Sequence, residues 1–140
     1  MLQVLLYIWQ LPQNLLGAIL LLFYWPEETY DYKPYKHDSG LLVKLHYSSR
    51  LRSAISLGKH IIVSSAYKDY TGIAERHEYG HCLQSLRLGW LYLIIIGLPS
   101  LLGNIWDRIA HKNWRYADSV KWYYNQPWEK WADELGGVER

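Results

Sequence analysis

Residues 71–89 read TGIAERHEYGHCLQSLRLG, and they predict a helix that carries the pattern HExxH. Thr71–Gly72 offers a helix start, no proline interrupts the run that follows, and Gly89 offers an end. His77 and His81 are four positions apart, so on a helix they project from one face with converging rings. Convergent imidazoles are what a tetrahedral Zn²⁺ site requires of two of its ligands, so this helix predicts half of a zinc site.

A catalytic site of this kind would be completed by Glu78, the residue after the first histidine, and by a third metal ligand distant in sequence. Glu78 is turned roughly a quarter of the way round the helix from His77, so it can reach a water on the metal without binding the metal. A catalytic zinc site also needs a third protein ligand and an open fourth position. The residues after His81 do not continue the metzincin pattern, which excludes that branch. The downstream candidates for the third ligand are Asp107, His111, Asp118 and Glu129.

Glu129 opens the segment EKWAD, which places Asp133 four residues later on the same helical face. HExxH followed by ExxAD resembles the gluzincin metallopeptidases, most nearly the membrane-embedded HtpX and CaaX-prenyl-protease group. The resemblance implies that His77, His81 and Glu129 bind Zn²⁺. It also implies that Glu78 is the general base. Asp133 would orient His77 through the second ring nitrogen, as metal-bound histidines require.

Composition limits the class of protein. The chain has 140 residues, which is enough for one domain, and its net charge of +2 with no basic run argues against a nucleic-acid partner. The single cysteine, Cys82, excludes an internal disulfide and favours a reducing compartment. Eight Trp and thirteen Tyr stand against one Phe, and such rings collect at membrane interfaces and binding surfaces.

The first 25 residues contain no charge and are long enough to span a bilayer. Pro12–Asn14 interrupts the apolar run and no cleavage site follows, so residues 1–25 predict a retained membrane anchor, with a buried core helix as the alternative. Residues 26–40 are polar and rich in turn formers, which predicts a linker. Basic residues follow the anchor and favour a membrane-associated protein with its body in the cytoplasm: Lys33, Lys36, Arg50 and Arg52.

Residues 41–140 then form the predicted metallopeptidase-like domain, with a second uncharged stretch at 88–106. One bilayer crossing by this stretch would separate His81 from Glu129 by about 30 Å of hydrocarbon. Gly97–Ser100 divides the stretch into halves that are too short to span. We therefore expect an apolar helical hairpin that either dips into one leaflet or packs in the core.

Two short runs, LLVKLHYSS and HIIVSSAY, are rich in β-branched and aromatic residues and predict a two-stranded β-element. The run HIIVSS could pair with an extended peptide by strand addition. The predicted fold class is α+β and mostly helical. It is a minimal zincin-like domain with this two-stranded β-element, an N-terminal apolar anchor helix and an apolar helical hairpin.

The expected function is a membrane-associated zinc metallopeptidase that acts on a peptide or protein substrate and contacts membrane lipid. Glu78 would take a proton from the attacking water and return it to the leaving amine. One alternative is a non-catalytic, membrane-anchored interaction protein with a structural metal or none, in which Glu78 is dispensable. Another keeps the zinc but replaces Glu129 by Asp107 or Asp118. The candidate oxyanion donors are His111, Tyr116, Tyr123 and Tyr124.

Overall fold

The structure, a computed structural model, describes residues 1–34, 40–68 and 71–140, and within them the chain is α+β with helix predominating. Helical turns also occur at Ser65–Tyr67, Gly89–Leu91 and Leu93–Gly97, the last of them π-helical. The helices are α1 Leu2–Trp9, α2 Leu11–Tyr24, α3 Ile73–Leu88, α4 Leu98–Ala110, α5 Tyr116–Tyr124 and α6 Pro127–Gly136. The strands are β1 Glu28–Tyr32, β2 Val43–Ser48, β3 Ala54–Leu57 and β4 His60–Ser64.

The strands of the described chain form one mixed sheet in the order β1-β2-β4-β3, so the two-stranded prediction is wrong. The predicted runs are β2 and β4, which pair in parallel, while β1 and β3 add to them antiparallel. The sequence of β1, ETYDY, is polar because this edge strand is largely exposed, and it lies inside the stretch predicted as a linker. The rest of that linker includes residues 35–39, which lie outside the described residues.

The core lies between the sheet and α3. Alternate residues of β2 and β4 point to this side, among them Val43, Leu45, Ile61 and Val63, and they pack against residues of α3. Cys82 is fully buried in this cluster, as a small core residue. The opposite face of the sheet carries His46 and His60 and is covered by α2. This sandwich fixes the position of α3.

The N-terminal segment is a bent pair of helices, which corrects the prediction of a single anchor helix. α1 and α2 meet at Gln10 with a bend of 83°, and Pro12 lies in the first turn of α2. The proline lacks an N–H and cannot continue a preceding helix without strain, so the chain starts a new helix there. None of the α1 residues is buried, so α1 is not a core helix either.

The second apolar stretch is one helix, so the predicted hairpin is also wrong. Residues Leu93–Ala110 form a helix of 18 residues in which Pro99 occupies the first turn of α4, after the π-helical turn. Proline lacks an N–H for the hydrogen bond of a helix interior, and the π-helical turn directly before Pro99 accommodates this loss, so the chain does not reverse there. Only 6% of this helix is buried, and its composition would allow it to cross a membrane.

Candidate metal centre

Backbone contact between α3 and α6 builds the centre. A Cβ atom added at Gly80 would lie 1.9 Å from the carbonyl oxygen of Ala132, and one at Gly136 would lie 2.0 Å from that of Arg76. Glycine at these two positions therefore lets the helices approach more closely than any other residue would allow. Ala132 is one turn after Glu129, so this approach carries the Glu129 carboxylate to the histidines of α3.

The structure brings His77, His81 and Glu129 together. Oε2 of Glu129 lies 3.1 Å from Nε2 of each histidine, and the donor atoms all lie within 4.8 Å of one another. Donors held about 2.0–2.1 Å from one tetrahedral ion are roughly 3.3 Å apart, so the two 3.1 Å distances fit a small divalent metal. Among the described residues this is the group that could hold a metal ion, and all of its members are buried.

The second ring nitrogen of His77 is held by Asp133. Nδ1 of His77 lies 2.7 Å from Oδ1 of Asp133, and Nε of Arg140 donates to the other carboxylate oxygen at 2.8 Å. The structure thus places Asp133 where the sequence predicted it. An acceptor at Nδ1 directs Nε2 of His77 into the centre.

Gln84, which was not among the predicted site residues, holds His81 in the same way. Its amide nitrogen donates to the carbonyl oxygen of Trp128 on α6 at 2.8 Å, so its Oε1 faces Nδ1 of His81 at 2.7 Å. With the amide fixed in this orientation, Nδ1 of His81 must donate, and Nε2 is the ring nitrogen that faces Glu129 and would bind a metal. Its position three residues after His81, on the same helical face, is a signal that could have pointed to it.

Ser100 was also missed, because its stretch was interpreted as a break in an apolar segment. Its hydroxyl donates to Oε1 of Glu129 at 2.7 Å and lies 2.9 Å from the hydroxyl of Tyr123. The two oxygens of Glu129 therefore have different partners, one facing the histidines and the other facing α4. The carboxylate is held from both sides.

The buried cluster strongly shifts the protonation of its members. Burial opposes the charge on His77, but its hydrogen bonds with Asp133 and Glu129 outweigh this effect and raise its pKa to about 9. Burial likewise opposes the charge on Glu129, yet hydrogen bonds from His77 and His81 hold its pKa well below the usual range. Glu129 is thus an anion beside two imidazoles, and a metal ion that binds here must displace a proton from His77.

Glu78 lies beside this cluster in a cleft of about 790 Å³ that β3, α3, α4 and α6 all line. The hydroxyl of Ser56, on β3, donates to Oε2 of Glu78 at 2.8 Å. Tyr123 and Tyr124 also line the cleft, and the ring of Tyr124 meets that of His77 edge-on at a centroid distance of 5.0 Å. The cleft therefore contains a carboxylate and two phenols beside the three potential ligands.

The other candidates lie away from the centre. Asp107 pairs with His111 at 2.7 Å, and the His111 ring stacks on Trp114, outside the residues that line the cleft. Asp118 pairs with Arg115 at 2.8 Å. Tyr116 is 83% exposed. The described structure does not bring these candidate ligands and donors to the histidines.

Comparison with known proteins identified no relative of this chain. No protein-family model, curated protein or solved structure matches the chain. The likeness to gluzincins therefore rests on the two short motifs, HEYGH and EKWAD. The chemistry of the site has to be argued from its own residues.

Proposed function

We propose that this chain is a zinc-dependent, membrane-associated metallopeptidase in which His77, His81 and Glu129 bind the metal. The observation that carries the proposal is the meeting of His81 with Glu129, 48 residues apart in sequence, in a buried group whose histidines are both held at Nδ1. Two imidazoles and one carboxylate are a donor set typical of catalytic zinc, which keeps its fourth position for water or substrate. Zinc held by these residues would lower the pKa of a water ligand and polarise a carbonyl oxygen.

Glu78 supplies the proton transfers of the proposed reaction. It follows His77 directly on α3, lines the same cleft and is 7% exposed. The hydrogen bond from Ser56 holds one carboxylate oxygen and leaves the other available to accept a proton from the attacking water. Glu78 then returns that proton to the leaving amine.

The peptide substrate would bind along β3. Strand addition was expected at the run HIIVSS, but this run is β4, which pairs with β2 on one side and β3 on the other. β3 is an edge strand of the described sheet, and its residues line the cleft. An extended peptide that adds to β3 passes the potential ligands in an orientation that main-chain hydrogen bonds set. The phenols of Tyr123 and Tyr124 are then the nearest candidate donors to a developing oxyanion.

The proposal is tested with zinc-loaded protein in detergent and an unfolded protein substrate such as casein. Glu78→Gln should retain zinc and lose activity by about 10²- to 10⁴-fold, because an amide cannot accept the proton. The matched control is Glu75→Gln, which changes another buried carboxylate of α3, one that accepts a hydrogen bond from Tyr47 at 2.7 Å. This control should retain most of the activity. An unchanged rate for Glu78→Gln, or activity that survives complete removal of the metal, would contradict the proposal and favour a non-catalytic interaction protein.

A further inference from the structure

Most of the exposed large apolar side chains of the described residues lie in 1–25 and 90–109, which together we call the apolar surface. The two segments contact each other and form one continuous surface. Nε1 of Trp90 donates to the carbonyl oxygen of Ile8 at 3.0 Å, and the ring of Trp9 packs on Gly89. A patch of this extent on a water-soluble monomer would be unusual, so it marks a surface that contacts something other than water.

Gln10 and the helix α2 that follows it bury their polar side chains and expose their apolar ones, the reverse of a helix on a water-facing surface. Gln10, Gln13 and Asn14 are at most 1% exposed, and each makes a hydrogen bond to the body of the protein. Gln10 accepts from Ser85 at 2.7 Å, Gln13 donates to the carbonyl oxygen of Gly89, and Asn14 accepts from the N–H of Lys59 at 2.9 Å. Polar groups inside and apolar groups outside are the arrangement expected of a helix that faces hydrocarbon.

The α1–α2 pair does not cross a bilayer in this fold. Its first turn returns to the body, where Nε2 of Gln3 donates to the carbonyl oxygen of Gly40 at 2.5 Å. α2 then lies along the sheet, with Gly17 against His60 and the carbonyl oxygen of Tyr24 bonded to Ser48. A crossing would carry the sheet and its charged residues into the hydrocarbon, which is strongly unfavourable.

The helix Leu93–Ala110 does not cross either. Ser100, well inside it, bonds to Glu129, and Glu129 bonds to His81 on α3, which precedes the helix in sequence. The chain returns from Ala110 only as far as Ser100, about 15 Å back along the helix, so a crossing helix would hold Glu129 and the buried cluster near the middle of the hydrocarbon, which is strongly unfavourable. The face that carries Ser100, Asn104 and Arg108 is turned to the cleft, so the opposite, apolar face is the one left exposed.

Basic side chains border the apolar surface. Arg50 lies beside the end of α2, where its guanidinium approaches the carbonyl oxygen of Phe23 at 3.5 Å. Nζ of Lys59 lies 4.8 Å from the centre of the Tyr7 ring on α1, and the exposed Lys112 follows the end of α4. Basic residues at the rim of an apolar surface complement the anionic headgroups of a lipid leaflet.

We infer that the protein is monotopic: α1, α2 and the helix Leu93–Ala110 insert their outer faces into one leaflet of a bilayer containing anionic lipid, and no described segment crosses it. The inference rests on packing and polarity and does not depend on a bound metal. The regions after α2, after α4 and at the chain's C-terminal end lie on the same side of the membrane. The cleft between α2 and α4 then opens beside the leaflet.

The topology is tested by labelling introduced cysteines in sealed membrane vesicles with an impermeant maleimide. Cys82 is fully buried, so it gives no background in the folded protein. The exposed positions Lys33→Cys, Lys112→Cys and Glu139→Cys sample the three regions. All three should label from one face, and none from the other until detergent is added. Labelling of any one of them from the opposite face would overturn the inference.

Whether a lipid leaflet covers the apolar surface is tested by flotation of purified protein with vesicles of phosphatidylcholine and phosphatidylglycerol. Wild type should float, and Leu102→Asp should reduce partitioning about tenfold or more, because a charge replaces an inserted side chain. The matched control is Tyr30→Asp, at an exposed ring of β1 outside the apolar surface. Tyr30→Asp should float like wild type, and thermal unfolding verifies that both variants fold. Wild type that stays in solution as a defined oligomer, with vesicles present, would assign the surface to a second copy instead and overturn the inference.

Discussion

Substituting Gly80 by alanine tests whether close helix packing builds the metal centre. The added Cβ would lie 1.9 Å from the carbonyl oxygen of Ala132, whereas real Cβ atoms essentially never come within 3.0 Å of such an atom. The α3 and α6 backbones must therefore separate locally by at least 1.1 Å, the difference between these distances. Glu129 is one turn from Ala132, so its 3.1 Å separation from His77 and His81 should grow to about 4 Å. Metal–ligand distances tolerate about 0.2 Å, so zinc should bind much more weakly.

The stability effect of Gly80→Ala has a diagnostic sign. Alanine in a helix interior is normally more stable than glycine by about 0.5–1 kcal/mol. Overpacking against backbone costs about 1–3 kcal/mol, and here it exceeds the propensity gain. We expect the free energy of unfolding to fall by about 1–2 kcal/mol in denaturant titrations, and zinc affinity by about 100-fold or more in chelator competition.

The matched control is Gly103→Ala on α4, where the nearest atom would be 3.6 Å away on Trp128, an ordinary contact. This variant should be as stable as wild type or more stable by up to about 1 kcal/mol, with zinc affinity unchanged. If Gly80→Ala instead behaves like Gly103→Ala in both measurements, the close approach of α3 and α6 does not build the site.

Two further predictions concern other buried histidines and the partner of a ligand. Asp133→Asn should weaken zinc binding about 10- to 100-fold in chelator competition, because the amide is no longer a charged acceptor for Nδ1 of His77. Unchanged zinc affinity would show that Asp133 does not support the site. Nε2 of His46 lies 3.2 Å from Nδ1 of His60 on the sheet face that α2 covers. Burial lowers the pKa of each histidine to about 4. Because the unfolded chain binds these protons near pH 6.5, their stability contribution is complete above that pH and is lost as pH falls towards 4. Thermal unfolding should show a loss on the order of 2 kcal/mol over this range, largely absent in the His46→Gln/His60→Gln double variant, and an equal loss in that variant would refute the assignment.

The candidate metal centre was largely predictable because its residues lie in local patterns. His77 and His81 share a helical face by spacing alone, and Glu129 and Asp133 repeat that spacing on α6. Gln84 shares a helical face with His81, but Ser100 carries no such pattern, since a serine in an apolar run becomes informative only when the fold places Glu129 against it. Sequence spacing therefore predicts the ligands better than the groups that hold them.

The sheet and the apolar segments were less predictable because tertiary contacts determine them. The strand β1 is polar and exposed, so its pairing with β2 leaves little trace in its composition. Pro99 was interpreted as the turn of a hairpin, but proline is equally compatible with the first turn of a helix. The polar residues at 10–14 interrupted the predicted anchor because they bind the body of the protein, which only the fold reveals.

The most direct test of the central claim is the zinc content of detergent-purified protein by mass spectrometry. Wild type, His81→Ala, Glu129→Ala and Glu78→Gln are measured side by side. The site predicts one zinc per chain in wild type, loss of that zinc with His81→Ala and Glu129→Ala, and retention with Glu78→Gln, because Glu78 is assigned to proton transfer and not to the metal. Wild type prepared with zinc that carries none, or zinc that is indifferent to His81→Ala, would contradict the three-ligand site.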